Sequence, residues 1–151
     1  MKQINKYIVE RLHINKDTGN HSYNYHPKTR DELEELVKKL INERGDNADL
    51  NDIDTSEITD MSYIFYKSKF NGDISNWDVS NVEDMNGMFN HSKFNEDISN
   101  WNVSNVKNMG HMFCESPFNG DISQWDVSKV KNTWYMFLGS PLQQNPPEWY
   151  K

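Results

Sequence analysis

The chain has little cysteine and no long run of apolar residues. Its one cysteine, Cys114, cannot form an internal disulfide, and its place within a repeat favours a small filler over a reactive thiol. No segment approaches the roughly 18 apolar residues of a membrane-spanning helix. The start, MKQINKYIVERLHINKD, lacks the apolar stretch of a signal peptide and a lipobox cysteine. We therefore expect a soluble, cytoplasmic protein without membrane contact.

Positive charge is scarce after the first third of the chain. Residues 49–151 contain seven lysines, no arginine and fifteen Asp or Glu, a net charge of −8, whereas residues 1–48 carry +1. Such an acidic surface repels phosphate groups, so direct binding to nucleic acid is not expected. The charge predicts a protein partner with a basic surface.

Motifs of catalysis and cofactor binding are also missing. The sequence contains no GxSxG, no P-loop and no HExxH. Its histidines lack the spacing of metal ligands, and those within the repeats stand at variable positions. The five histidines of the chain are His13, His21, His26, His91 and His111. We therefore expect that the protein is not an enzyme and that it binds neither a cofactor nor a metal ion.

A segment of 24 residues occurs three times with few changes. The copies begin FNGDISNWDVSNV at Phe70, FNEDISNWNVSNV at Phe94 and FNGDISQWDVSKV at Phe118. A more divergent copy precedes them in the same register, with Ile53 at the position of the repeat tryptophans. A fourfold period without gaps is typical of proteins in which each unit packs on the next.

The apolar pattern within each copy predicts a short strand and a short helix. Trp77 and Val79 alternate with a polar residue, and Val82, Met85 and Met88 recur at helical spacing. Stacked in register, the strands would form a parallel ladder. They would lie near residues 50–55, 74–79, 98–103 and 122–127. The sequence therefore predicts an α/β solenoid, a right-handed coil similar to leucine-rich repeats.

Large apolar side chains at fixed repeat positions predict the core. A stripe that follows the packing period indicates buried core rather than a ligand cage. The expected core residues are Trp77, Trp101, Trp125, Met88, Met112, Met136, Phe89, Phe113 and Phe137.

The segment DISNWDVSNVEDMNGMF resembles the repeat of the BspA-like leucine-rich-repeat family, also called the DUF285 or mycoplasma lipoprotein-type repeat. The resemblance covers about residues 49–145. It implies a leucine-rich-repeat-type fold and a role in binding, often to other proteins. Many members of the family are bacterial surface proteins or adhesins, and compact members resemble repeat proteins encoded in bacterial or phage genomes.

The ends of the chain predict caps on the repeats. In PKTRDELEELVKKLINERG, the apolar spacing predicts a helix from about Asp31 to Arg44, with Thr29 as N-cap and Gly45 as the stop. We expect three segments. Residues 1–48 hold an N-terminal segment and the capping helix, 49–145 the four repeats and 146–151 a C-terminal cap. Residues 1–26 are either part of the cap or an arm that docks on a partner.

One row of aspartates precedes the predicted strands. It comprises Asp49, Asp73, Asp97 and Asp121. The favoured role is structural, with each side chain accepting backbone N–H groups at a turn. Calcium binding is the alternative, but the nonapeptide pattern of calcium-binding β-rolls is absent.

A second polar row is the predicted binding site. Because its residues lie between two inward-pointing side chains, they should point outward. The row and its neighbours are Asp54, Asn76, Asp78, Asn100, Asn102, Gln124 and Asp126. We name these residues the acidic face, and their oxygens would accept hydrogen bonds from a partner's Arg and Lys.

Several functions are compatible with this sequence. The first is a monomeric, non-enzymatic protein-binding module that acts through its acidic face. The second is a small phage-type inhibitor or counter-defence protein that mimics nucleic acid and blocks a basic groove of a host protein. Adhesion at a cell or virion surface is a third. These hypotheses differ in salt dependence, because binding by charge mimicry collapses as salt rises.

Overall fold

Turns and irregular segments, rather than strands and helices, make up most of the part of the chain that the structure describes. The structure, a computed structural model, describes residues 22–150. Over that range it contains one α-helix, α1 (Arg30–Arg44), one 3₁₀ helix (Pro141–Gln143) and no β-strand. The prediction of an α/β solenoid with a parallel strand ladder and a short helix in each repeat is therefore wrong.

The helix α1 begins and ends where its sequence indicates. The Thr29 hydroxyl accepts a hydrogen bond from the Glu32 amide at 3.2 Å, which caps the first turn. At the other end Gly45 has a φ of 96°, and its amide bonds the Ile41 carbonyl at 2.7 Å. One face of α1 is fully buried in the core, through Leu33, Leu36, Val37 and Leu40.

Each 24-residue unit hydrogen-bonds the next one along the chain. We number them unit 1 (46–69), unit 2 (70–93), unit 3 (94–117) and unit 4 (118–141). Isolated parallel bridges join Asp60 to Asp84, Asp84 to Asn108 and Asn108 to Asn132. Because each bridge is a single residue pair, the units are in register without forming a sheet.

Local turns replace the predicted strands. The Trp77 amide donates to the Ile74 carbonyl at 3.1 Å, and the Val82 amide donates to the Val79 carbonyl at 3.0 Å. These amides bond three residues back in their own unit, so they are not available to a neighbouring unit. Residues 74–79 therefore do not form a continuous ladder, because the Trp77 amide in their middle is already bonded within its own unit.

A second run of turns replaces the predicted short helices. We call it the turn column: residues 61–68, 85–92, 109–116 and 133–140. Two positions in each copy have positive φ, which ends any α-helix. They are Tyr63, Gly87, His111 and Tyr135 at the first position, and Lys67, His91, Glu115 and Gly139 at the second. Helical spacing of the apolar residues in this column therefore reflects successive turns.

Alternate amides of the turn column hold the units together. The amides of Met85, Gly87 and Phe89 donate to carbonyls of unit 3 at 2.8–2.9 Å. The amides between them bond back within unit 2, for example Met88 to the Met85 carbonyl. In units 1–3, half of the column's backbone donors thus stabilise the turn, and half join one unit to the next.

Two rows of stacked phenylalanines fill the interior. Phe65, Phe89, Phe113 and Phe137 form one row, with neighbouring ring centroids 5.5–6.0 Å apart and planes within 6°. Phe70, Phe94 and Phe118 form the other, at 6.2–6.3 Å. The two rows belong to one apolar core that also includes the buried side of α1.

The repeat tryptophans lie beside the phenylalanine rows. Trp77, Trp101 and Trp125 are each at most 5% exposed. Their indole N–H groups donate to the carbonyls of Leu50, Ile74 and Ile98 in the preceding unit, at 3.0–3.3 Å. The methionines at the predicted core positions, Met88, Met112 and Met136, are fully buried.

Residues outside the four units pack on the interior at both ends of the repeats. Tyr25 forms a parallel bridge with Ile53, and the Asp54 amide donates to the Tyr25 carbonyl at 2.8 Å. At the other end Trp149 follows Trp125 by one period, and its indole donates to the Ile122 carbonyl at 2.9 Å. The C-terminal residues therefore supply part of a fifth unit.

Candidate functional site

Three rows of Asx turns run across the units and determine where the acidic groups lie. In each turn an Asp or Asn Oδ1 accepts the amide two residues on, at 2.8–3.1 Å. The first row is Asp49, Asp73, Asp97 and Asp121. The second is Asp54, Asp78, Asn102 and Asp126, and the third is Asp60, Asp84, Asn108 and Asn132. Most acidic positions of the repeat thus have a structural task.

The predicted acidic face coincides with the second row and its neighbours. Six of its seven residues are exposed: Asn76, Asp78, Asn100, Asn102, Gln124 and Asp126. Asp54, in unit 1, is half-buried. Because the units repeat with the spacing of the phenylalanine rows, each of units 2, 3 and 4 presents two acidic or amide groups along one side of the molecule.

The N-terminal segment occupies the unit 1 end of the acidic face. His26 Nδ1 lies 3.0 Å from Asp54 Oδ2. Burial raises the pKa of Asp54, but hydrogen bonds from Ser56 and His26 lower it by more than burial raises it. The net pKa of Asp54 is therefore below its ordinary value. The pKa of Tyr23 is raised by burial and by the charges of Asp54 and Asp78. The face open to a partner therefore begins at unit 2.

The other two carboxylates of the face are held in place and keep one oxygen free of these bonds. Asp78 Oδ1 accepts the Ser80 amide at 3.0 Å and the Ser80 hydroxyl at 2.6 Å. Asp126 Oδ1 accepts the Ser128 amide at 3.0 Å, and hydrogen bonds from the Ser128 side chain and backbone lower its pKa. Within the described residues, Oδ2 of each carboxylate makes no hydrogen bond.

Asn102 repeats the same turn without a charge. Its Oδ1 accepts the Ser104 amide at 3.1 Å. An amide oxygen thus serves this turn as well as a carboxylate does, so the charge at Asp78 and Asp126 is not needed for the turn itself. This comparison within one chain separates the structural role of the row from its charge.

The first row of Asx turns bonds mainly to groups close by in its own units, and Asp73 Oδ1 accepts the Ser75 hydroxyl at 2.7 Å as well as the Ser75 amide at 2.9 Å. Hydrogen bonds from the serine two residues on lower the pKa of Asp73, Asp97 and Asp121. Among residues 22–150, no group of three or more His, Cys, Asp or Glu side chains is placed to hold a metal ion. The Asx turns account for these aspartates.

The predicted binding arm lies largely outside the described residues. Tyr7 and Arg11, which would belong to that arm, fall in residues 1–21. Residues 24–26 pair with residues 52–54, so this part of the segment belongs to the cap of unit 1. Asn24 Nδ2 also donates to Asp52 Oδ2 at 2.8 Å.

Sequence reasoning missed an exposed apolar edge on unit 4. Trp134 is 74% exposed, Tyr135 54% and Leu138 42%. The corresponding residues of unit 2 are Asn86, Gly87 and Asn90. The departure from the repeat was visible in the sequence, since large apolar residues replace small or polar ones at three positions of one copy. We refer to the three apolar residues as the apolar edge.

A comparison with models of protein families matches the repeats and the helix before them. The family described as "Mycoplasma protein of unknown function, DUF285" matches residues 32–149, which include most of α1, all four units and Trp149. This chain belongs to the DUF285 family. Comparisons of this DUF285 chain with curated proteins and with solved structures find no match. Across residues 22–150, its helices are too short or too polar to span a bilayer.

Proposed function

We propose that this DUF285 protein is a non-enzymatic protein-binding module that engages a basic surface through its acidic face. The observation that supports the proposal is the regular exposure of oriented oxygen acceptors from unit 2 to unit 4. Asp78 and Asp126 each fix one carboxylate oxygen with a backbone amide, and the second oxygen stays available. Fixed carboxylates lose little conformational entropy on binding, which favours affinity.

The chemistry of the face suits arginine and lysine side chains. Hydrogen bonds between a guanidinium or ammonium group and a carboxylate are charge-assisted and stronger than neutral ones. Exposed Asn76, Asn100 and Gln124 add amide groups next to the carboxylates. Such a mixture discriminates better between partners than a purely charged surface, because amides need a matching donor or acceptor.

A double substitution tests this face while preserving the turns. Asp78→Asn with Asp126→Asn removes two charges, and Asn102 shows that asparagine supports the same turn. After affinity capture with the full chain has identified a partner, we expect binding at least tenfold weaker for this variant by calorimetry, with cooperative thermal unfolding retained. The matched control, Asp73→Asn with Asp121→Asn, removes two charges from the first row and should bind within about twofold of the original chain.

The same pair of variants addresses the second candidate function, an inhibitor that mimics nucleic acid. The feature that favours it is the net charge of −8 over residues 49–151. Mimicry by overall charge would weaken binding equally in both double variants and make it strongly salt-dependent. Normal binding by the Asp78 and Asp126 variant would exclude the acidic face.

A further inference from the structure

Unit 4 leaves a row of backbone amides without acceptors. In the turn columns of units 1–3, every second amide donates to a carbonyl of the next unit at 2.7–3.0 Å. The equivalent amides of unit 4 belong to Thr133, Tyr135, Phe137 and Gly139. Among residues 22–150, no oxygen accepts a hydrogen bond from the first three. An unmatched backbone donor that loses water is costly, so such a row favours an external acceptor.

The fourth amide of the row shows which kind of acceptor can bind there. The Gly139 amide donates to the side-chain oxygen Oε1 of Gln143 at 2.8 Å. In the earlier units the corresponding amide donates to a backbone carbonyl, as Glu115 does to Leu138. An amide oxygen from outside the repeat therefore replaces the carbonyl that a further unit would provide.

Apolar surface surrounds the row. Trp134, Tyr135 and Leu138, the apolar edge, are the most exposed large hydrophobic residues of unit 4. Next to them lies a cavity of about 170 Å³, lined by Tyr135, Phe137, Leu138, Gln143 and Tyr150. Trp149 and Tyr150 cover the phenylalanine row, with the Tyr150 ring 4.8 Å from Phe137, and leave the apolar edge uncovered.

We propose that the open edge of unit 4 is a docking site for a polypeptide segment of a partner protein. Carbonyls of alternate residues in that segment accept the amides of Thr133, Tyr135 and Phe137. An apolar side chain of the segment enters the cavity beside Phe137. Backbone pairing at an open edge gives affinity, and pockets for side chains give specificity, as in strand addition. The apolar edge then becomes buried against the segment.

A second copy of this chain fits the edge less well than a peptide. Head-to-tail stacking would need the carbonyl row on the outer side of unit 1. There the Ser62 carbonyl already accepts Arg30 Nε at 2.6 Å, and α1 packs its buried face into the core at that end. Tail-to-tail pairing would bring two donor rows together without acceptors.

Amide mapping on the full chain tests the proposal. The probe is a blocked synthetic peptide of residues 132–140, NTWYMFLGS, whose own carbonyls accept the amides of unit 3 within the folded chain. We expect saturable NMR shifts and slowed hydrogen exchange at the amides of Thr133, Tyr135 and Phe137. Saturable shifts confined to other residues, or no shift at millimolar peptide, would overturn the proposal.

A variant made of the chain's own residues tests the apolar edge. Trp134→Asn, Tyr135→Gly and Leu138→Asn together copy the surface of unit 2, and glycine suits the φ of 53° at position 135. We expect at least tenfold weaker peptide binding. The control is Tyr66→Asn, which replaces an exposed apolar residue by asparagine at the position of unit 1 that corresponds to Leu138. This control should bind the peptide normally. Concentration-dependent broadening of the three amides without peptide would instead identify a second copy as the occupant.

Discussion

At the scale of single residues, each repeat position combines a packing role with a hydrogen bond. The repeat tryptophans fill the core and donate their indole N–H to a carbonyl of the unit before. The Asp and Asn residues of the Asx turns hold the backbone while remaining exposed or half-buried. Since buried polar groups need partners, the tryptophan bond explains how such a large polar aromatic side chain lies in the interior.

Trp101→Ala should lower the free energy of unfolding by roughly 3–5 kcal/mol. The substitution leaves a cavity in the core, and it removes the indole N–H that donates to the Ile74 carbonyl. Denaturant titration followed by circular dichroism measures the change. The matched control is Trp134→Ala, which truncates a tryptophan that is 74% exposed and should change stability by no more than about 0.5 kcal/mol. Equal effects of the two substitutions would contradict the assigned core.

At the scale of elements, α1 and the turn column contribute in different ways. The turn column builds the contacts between units from alternate amides. The helix α1 covers unit 1, and Arg44 makes two bonds of 2.9 Å to the Asp52 carboxylate. Unit 1 has the weakest match to the repeat, with Ile53 in place of tryptophan and Thr55 in place of valine. It therefore depends on the helix for burial.

Removal of residues 1–45 should leave a chain that aggregates or is partly molten. The deletion uncovers the apolar core beneath Leu33, Leu36, Val37 and Leu40, which are all at most 1% exposed. Exposed patches of that kind promote association. Light scattering and thermal melting of the 46–151 fragment measure the outcome. A monomeric fragment that unfolds cooperatively would show that α1 is not required as a cover.

At the scale of the whole molecule, acidic groups affect stability as well as binding. Burial raises the pKa of Asp52, but hydrogen bonds from Arg44 and Asn24 lower it by more than burial raises it. The net pKa of Asp52 is therefore below its ordinary value. Hydrogen bonds from Ser75 lower the pKa of Asp73. Carboxylates with a lowered pKa bind fewer protons in the folded state than in the unfolded state at acidic pH, so folding becomes less favourable as they protonate.

Stability should therefore be nearly constant from neutral pH to about pH 5 and fall below about pH 4, where unfolded aspartates begin to bind protons and the folded ones still resist. Thermal melts in a pH series measure this dependence. In Asp52→Asn the fall on acidification should be shallower, because one of the groups responsible is gone. A melting temperature that rises between pH 5 and pH 3 would contradict the prediction.

The secondary structure of the repeats was the part of the fold that sequence reasoning could not obtain. Alternation at Trp77 and Val79 predicted a strand, but the Trp77 amide bonds back to Ile74. The left-handed positions of the turn column were hidden because non-glycine residues such as Tyr63 and His111 occupy them. Only Gly87 and Gly139 signalled them. Local turns and strands can share one apolar pattern, and pattern alone does not distinguish them.

The candidate site shows a similar division. Outward orientation of Asp78 and Asp126 followed from their place between buried residues. The contact between Asp54 and His26 did not, because it joins residues 28 positions apart. The apolar edge of unit 4 was visible as a departure from the repeat, but its unpaired amides became apparent only when the units were stacked.

By itself, the sequence determined the period, the register of the four units, the buried positions, the helix α1 and the family. These properties depend on residue type and spacing, which are local and repeated four times. The tertiary structure alone decided that turns rather than strands carry the register, and that Trp149 completes the stack. It also decided which backbone donors stay open at the end of unit 4. Each of these depends on whether an amide finds its acceptor within its own unit or in the next, and that choice is made only when the units pack together.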